Sequence, residues 1–146
     1  RQVHEMAAAG ELSGLRESGP GRLAEIIVLD QFSRNIHRDS ARAFACDGLA
    51  LVLAQEAVRS GAGRDLYADQ RAGLYLPVRH SESRRVHDQA VELFSAPGKN
   101  ATNLDFEMQH KAIIDRFGRY PHRNEACGRV STEAEKAFLA TAGSSF

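Results

Sequence analysis

The chain has 146 residues, 19 basic and 19 acidic side chains for a formal net charge of zero, and 42% hydrophobic residues. That length suits one domain, residues 1–146, which would bury roughly two-thirds of its unfolded surface, and the charge balance provides no field to attract nucleic acid or an anionic bilayer. Two cysteines, Cys46 and Cys127, are too few for a disulfide framework. No apolar run approaches membrane length, so the expectation is a cytoplasmic protein without membrane or nucleic-acid partners.

The chain opens at Arg1 inside an amphipathic pattern, Val3, Met6 and Ala7, and this leads us to expect a preceding N-terminal segment. From Leu23 to Phe32 the apolar residues Ile26, Ile27, Val28 and Leu29 point all round a helix, which predicts a central, buried element. Asp30 and Arg34, four apart on it, should form a partly buried ion pair. Ser40 is placed to cap a long helix through Phe44, Leu49, Leu51, Leu53 and Val58, with Gly61 closing it in a left-handed conformation.

Leu74, Tyr75 and Leu76 end a shorter helix before Pro77, and Pro77 to Ser83 reads as a corner. Ser81 or Ser83 can cap the next helix, whose stripe is Val86, Ala90, Leu93 and Phe94 before a stop at Pro97-Gly98. A further helix spans about Ala101 to Phe117. Thr132 and Glu135 form a capping box for a last, peripheral helix with Phe138 and Leu139, ending near Gly143. No segment alternates as a strand. About seven helices in antiparallel hairpins are expected, as an array or compact bundle.

One polar pattern, D-x-F-x-R-x-x-H-R, occurs twice: at Asp30, Phe32, Arg34, His37 and Arg38, and at Asp115, Phe117, Arg119, His122 and Arg123. Its simplest source is a duplicated helical hairpin. It brings cations, a carboxylate and an imidazole to equivalent corners, where an anion can be held. Of the 19 basic residues 16 are arginine, whose rigid fork suits carboxylate or phosphate, although a codon preference explains the bias as well.

The strings Leu29-Asp30-Gln31-Phe32 with Arg34-Asn35 and Arg38, Leu74-Tyr75-Leu76-Pro77, His80-Ser81-Glu82, Phe117 through Asn124, Gly128-Arg129 and Ser131-Thr132 together resemble a bacterial family, domain of unknown function 924. The resemblance covers nearly the whole chain in order. It implies an all-helical, tetratricopeptide-like fold, an array of antiparallel hairpins, and no agreed activity. The resemblance implies an aromatic, tryptophan-containing N-terminal stretch, and the lack of any Trp in this sequence adds to the expectation of a preceding segment. Ser33 stands where the family usually has Pro, and His37 where it has an aromatic residue, so the first histidine of the recurring pattern can be incidental. The Trp, Leu-Gly and Tyr spacing of tetratricopeptide repeats is not legible.

The strongest candidate site is Arg119, His122, Arg123 and Asn124, joined by Asp30, Arg34, Asn35, Arg38, His80 and Glu82. These groups fall at helix ends and corners, where function is commonly displayed, and Pro121 stiffens the chain before His122. The competing role is structural: the same groups can tie off helix C-terminal carbonyls and pair across helices. His110 shares a helical face with Phe106, Ile113 and Phe117 and reads as a core histidine. Glu107-x-x-His110 lacks the second copy that a di-iron bundle needs, and no metal or cofactor is expected. Neither Ser81 beside His80 nor Cys127 with His122 makes a recognisable nucleophile.

Two functions of different kinds fit. A helical binding module would hold a small anion or peptide through Arg34, Arg119 and Arg123. A hydrolase-like enzyme on a phosphorylated or carboxylated small molecule would use His122 as general acid/base and Asp30 or Glu82 to orient it. The enzyme requires these side chains to converge in one enclosed pocket, whereas a binding module can spread them along a groove. We expect His122 and Arg119 to share one pocket with Asp30, and full consumption of Arg34 and Arg119 by internal carboxylates would remove the warrant for both functions and leave the structural role.

Overall fold

The computed structural model describes residues 1–96 and 101–146. The regular elements among them are all helical: α1 (Gln2–Ala8), α2 (Gly19–Ile27), α3 (Ser33–Ile36), α4 (Asp47–Arg59), α5 (Ala68–Leu74), α6 (Leu76–His80), α7 (Arg84–Ser95), α8 (Ala101–Phe117) and α9 (Glu133–Leu139). Short 3-10 turns at Ser13–Glu17, Ala41–Phe44, Ala62–Asp65 and Pro121–Arg123 connect them. The expected stop at Pro97-Gly98 lies outside the described residues.

The core gathers around α2, as its apolar sequence predicts. Leu23, Ile26 and Leu29 pack with Leu74, Val78, Ala90 and Phe94. On α4 the buried residues are Ala50, Leu53, Ala54 and Ala57, and the three alanines, spaced four and three apart, let that helix approach closely beside Leu53. Close approach recurs at Gly21, where an added Cβ would stand 1.9 Å from the Leu15 carbonyl oxygen. Helices α7 and α8 are antiparallel, since Arg84 near the start of α7 reaches Asp115 near the end of α8, and Asp88 meets Lys111 one turn further in. Such a pair is compatible with a tetratricopeptide-like array. A smaller cluster of Ile113, Ile114 and Tyr120 packs Phe117 against Phe138 of α9.

Several boundaries differ from the sequence reading. The long helix starts at Asp47, not at Ser40, because Ser40 gives its hydroxyl to the His37 carbonyl (2.9 Å) and Ala41–Phe44 turns as a 3-10 segment. Gly61 does close α4 in the left-handed region, at φ 71°. Pro77 begins a helix where a corner was expected: in the first turn of α6 its missing N–H costs nothing. The corner is Ser81 to Ser83, and Ser81 Oγ accepts from the Ser83 amide at 3.1 Å. The Thr132–Glu135 box forms with both bonds, at 3.2 and 2.8 Å, but α9 stops at Leu139, short of Gly143.

The most consequential difference lies between α2 and α3. Residues Val28–Phe32 form a π turn, so the rod that sequence reads as uniform carries a local widening at Asp30. Ser33 supports it: its hydroxyl donates to the Leu29 carbonyl at 2.5 Å and accepts from His4 Nε2 at 2.7 Å, tying α1 to the turn. Ser33→Ala should leave a buried carbonyl and a buried imidazole without partners, costing about 1–3 kcal/mol. That corresponds to a melting temperature lower by about 3–10 °C in a thermal denaturation scan.

Candidate functional site

The π turn delivers Asp30 into the interior, where it is 1% exposed. A buried carboxylate needs full pairing, and three residues supply it. His80 at the end of α6 donates Nδ1–H to Oδ1 at 2.7 Å, Arg34 approaches the same oxygen at 3.1 Å, and the Gln31 amide donates to Oδ2. Asp47, in the first turn of α4, accepts both terminal nitrogens of Arg34 (2.8 and 2.9 Å) and one from Arg123 (3.2 Å). Arg123 returns to the His80 carbonyl at 3.0 Å and lies over the rings of Phe44 (4.5 Å) and Tyr120 (4.8 Å). Asp30, Arg34, Asp47, Arg123 and His80 thus form a closed circuit joining four separate stretches of chain.

Electrostatics follow from this geometry. Burial pushes Asp30 up, but the His80 hydrogen bond and the neighbouring cations outweigh it and leave the carboxyl below its ordinary value. Burial lowers His80, and the Asp30 bond offsets this only in part. The pair at neutral pH is therefore a carboxylate accepting from a neutral imidazole whose Nε2 carries a lone pair.

Over this circuit opens a cavity of about 410 Å³, lined by Arg34, Arg38, Arg79 and Arg123, the imidazoles of His80, His110 and His122, and Gln31, Asp39, Ala43, Phe44, Ala126 and Phe146. Asp39 is the acidic residue of this lining among the described residues, and its backbone is left-handed at φ 59°. The carboxylates that balance the arginines, Asp30, Asp47 and Glu107, stay outside the lining. Arg38, exposed at the rim, makes no hydrogen bond or ion pair among the described residues.

A second buried circuit backs the cavity. Glu107 faces His87 Nδ1 at 2.6 Å and Arg79 Nε at 3.5 Å, while His87 Nε2 meets the Ser81 carbonyl at 2.8 Å and the Tyr120 hydroxyl at 3.1 Å. Tyr120 donates its hydroxyl to the Arg79 carbonyl at 2.5 Å, and burial raises its proton affinity. The Glu107-x-x-His110 element is absorbed here: Glu107 serves His87 and Arg79, and His110 Nδ1 donates to the Phe106 carbonyl at 2.6 Å. Among the described residues no three His, Cys, Asp or Glu side chains converge as a metal would need.

Five of the ten residues proposed from sequence line the cavity, namely Arg34, Arg38, His80, His122 and Arg123, and Asp30 lies beneath them. The other four do not. Arg119 is held by Glu135 through two bonds of 2.8 and 2.9 Å and gives a third to the Val130 carbonyl, so the expected pocket of His122, Arg119 and Asp30 does not form. Glu82 pairs with both terminal nitrogens of Arg129 (2.7 and 2.9 Å) and accepts from the Tyr120 amide, and buried Asn124 spans Ser131, Glu135 and Arg129. Asn35 is exposed outside the cavity. Arg34 too is bound by internal carboxylates, Asp30 and Asp47, so the arrangement of Arg34 and Arg119 does not support the anion-holding role expected of them. The two copies of the recurring pattern also diverge, because Asp115 is exposed and pairs with Lys111, whereas Asp30 is buried.

Sequence reasoning missed Arg79, Asp47, Phe44 and Phe146, and it placed His110 in the core, where it is buried but also forms cavity wall. Phe106, on the face assigned to that core, is exposed. Only Asp47 carried a local signal, as an acid in the first turn of a helix; the others have none.

Fold and cavity together define an all-helical protein with a guanidinium-lined pocket closed from behind by paired carboxylates. The chain belongs to the family described as bacterial protein of unknown function (DUF924), whose profile matches residues 1–143. It is similar to the solved structure of a protein of unknown function, ATU0120 from Agrobacterium tumefaciens, with 37% sequence identity and a TM-score of 0.89, over 96% of this chain and 78% of that one. No curated protein matches it.

Burial lowers the proton affinity of both His110 and His122 to about 4; Arg123 adds repulsion at His122, and the Phe106 carbonyl opposes the fall at His110. An unfolded chain binds these protons near pH 6.5, so between about pH 6.5 and pH 4 the unfolded state holds more protons and stability falls as pH falls. Thermal denaturation at pH 7 and pH 4.5 should show a melting temperature lower by several degrees at the acid end. His122→Gln should flatten that slope, and an unchanged slope in the variant would exclude His122 as its source.

Proposed function

We propose that this chain is a helical binding protein whose cavity holds a small organic anion. The observation that carries the reading is the segregation of charge: beside the internally bound Arg34, the guanidiniums of Arg38, Arg79 and Arg123 stand on the lining, with Asp30, Asp47 and Glu107 placed outside it. A guanidinium paired from behind is fixed in orientation and keeps donors for a carboxylate or phosphate in front. Arg38 has no internal partner among the described residues, so it is the cation that a ligand engages first. A short acidic peptide segment would satisfy the same donors.

Isothermal titration of the protein with phosphate and citrate tests this. Binding is expected, with Arg38→Ala weakening it about tenfold, the worth of one charge-assisted hydrogen bond. Because Arg38 is exposed and makes no hydrogen bond or ion pair among the described residues, its removal should leave the melting temperature of the free protein unchanged. Equal affinity in the variant, or no binding of either anion, would overturn the reading.

A second reading rests on the Asp30–His80 pair. A buried carboxylate that fixes an imidazole tautomer and leaves Nε2 as acceptor is the arrangement of a general base. In a hydrolase-like reading His80 therefore takes the role that sequence assigned to His122. If the protein turns over a p-nitrophenyl phosphate or carboxylate ester, His80→Gln should lower kcat about a hundredfold, and an unchanged rate would remove His80 from the chemistry.

A further inference from the structure

Phe146 occupies the cavity in an unusual manner. Its ring centroid lies 3.7 Å from that of His110, 4.6 Å from His122 and 5.2 Å from Tyr120, yet the residue remains 54% exposed. Among the described residues no hydrogen bond or ion pair holds it; the ring contacts alone keep it in place.

The three rings around it are held quite differently. Tyr120 is fully buried and fastened at both ends, by its hydroxyl to the Arg79 carbonyl and by its amide to Glu82. His110 is tied through Nδ1 to Phe106, and His122 follows Pro121 in a 3-10 turn. Tyr120 meets His110 edge-on at 5.9 Å and His122 tilted at 5.7 Å, so His110 and His122 on the wall of the cavity that Arg38 and Arg123 also line, with Tyr120 buried behind them, form a preformed aromatic clamp. His122 Nδ1 is buried with no hydrogen-bond partner. A rigid clamp filled by a loosely held ring is a subsite with an internal stand-in.

We infer that the ligand of this cavity is an aromatic acid, with a planar ring in the His110, His122 and Tyr120 clamp and a carboxylate on the arginine lining, and that Phe146 competes with that ring for the clamp. The inference rests on the anion-binding reading and adds the substrate class to it. Competition by a tethered ring lowers apparent affinity by the fraction of molecules in which the clamp is free.

The test is titration calorimetry of the protein and of Phe146→Ala with 3-phenylpropionate, 3-cyclohexylpropionate and butyrate. The expected result is that 3-phenylpropionate binds tightest and that Phe146→Ala tightens it by about threefold or more, with butyrate unaffected by the substitution. The variant should melt where the parent does. Unchanged or weaker 3-phenylpropionate binding in the variant would overturn the proposal, as would equal affinity for the cyclohexyl acid or a melting temperature lowered by several degrees. If butyrate binds as well as 3-phenylpropionate and depends on Arg38, the clamp proposal falls while anion binding stands. If none of the three acids binds either protein, and phosphate and citrate do not bind, both fall.

Discussion

The structure turns on one buried carboxylate. Asp30 cannot be left ionised in the interior without partners, because an unpaired buried charge costs several kcal/mol, and the partners it recruits come from distant segments. His80 is brought from α6 and Arg34 from the next turn of the same rod, and Asp47 then binds Arg34 and Arg123 together. The π turn allows this by rotating Asp30 inward from a helix whose other residues at that level are Val28 and Leu29. Ser33 and His4 complete the widened turn from the other side.

The second constraint is the circuit of Glu107, His87, Arg79 and Tyr120. It positions Tyr120 as the floor of the aromatic clamp and places Arg79, 4.3 Å above the Phe94 ring, where core and cavity meet. Each circuit keeps its carboxylates off the cavity wall and leaves cations on it. The resulting wall has directional donors next to flat rings. Both components are preorganised, so a ligand would not have to supply the free energy of ordering them.

The recurring pattern shows why local likeness does not ensure equivalent roles. Asp30 is buried and Arg34 half-buried against α4, so they pair with each other and with Asp47. Asp115 sits on the open side of α8, where Lys111 one turn earlier is its natural partner. Arg119, just past the left-handed Gly118, pairs with Glu135, and this bond holds the Glu135 carboxyl down at about 2. Glu135 also completes the capping box of α9, so Arg119 anchors the last helix. The capping box was legible because it is local; its second use was not, because it depends on which residue lies across from it.

By itself the sequence determined the helical class, the central place of the rod at Leu23 to Phe32, the Asp30–Arg34 pair, the left-handed Gly61 and the capping box of α9. All of these depend on spacings of a few residues, and short-range geometry dictates them. Only the tertiary structure decided that Arg38, His80, His122 and Arg123 share one cavity with Arg79, His110 and Phe146, while Arg119, Glu82 and Asn124 tie the fold. The fate of an arginine is set by the nearest unpaired carboxylate in space, and positions 34 and 47, 79 and 107, or 119 and 135 are brought together by packing, not by the order of the chain.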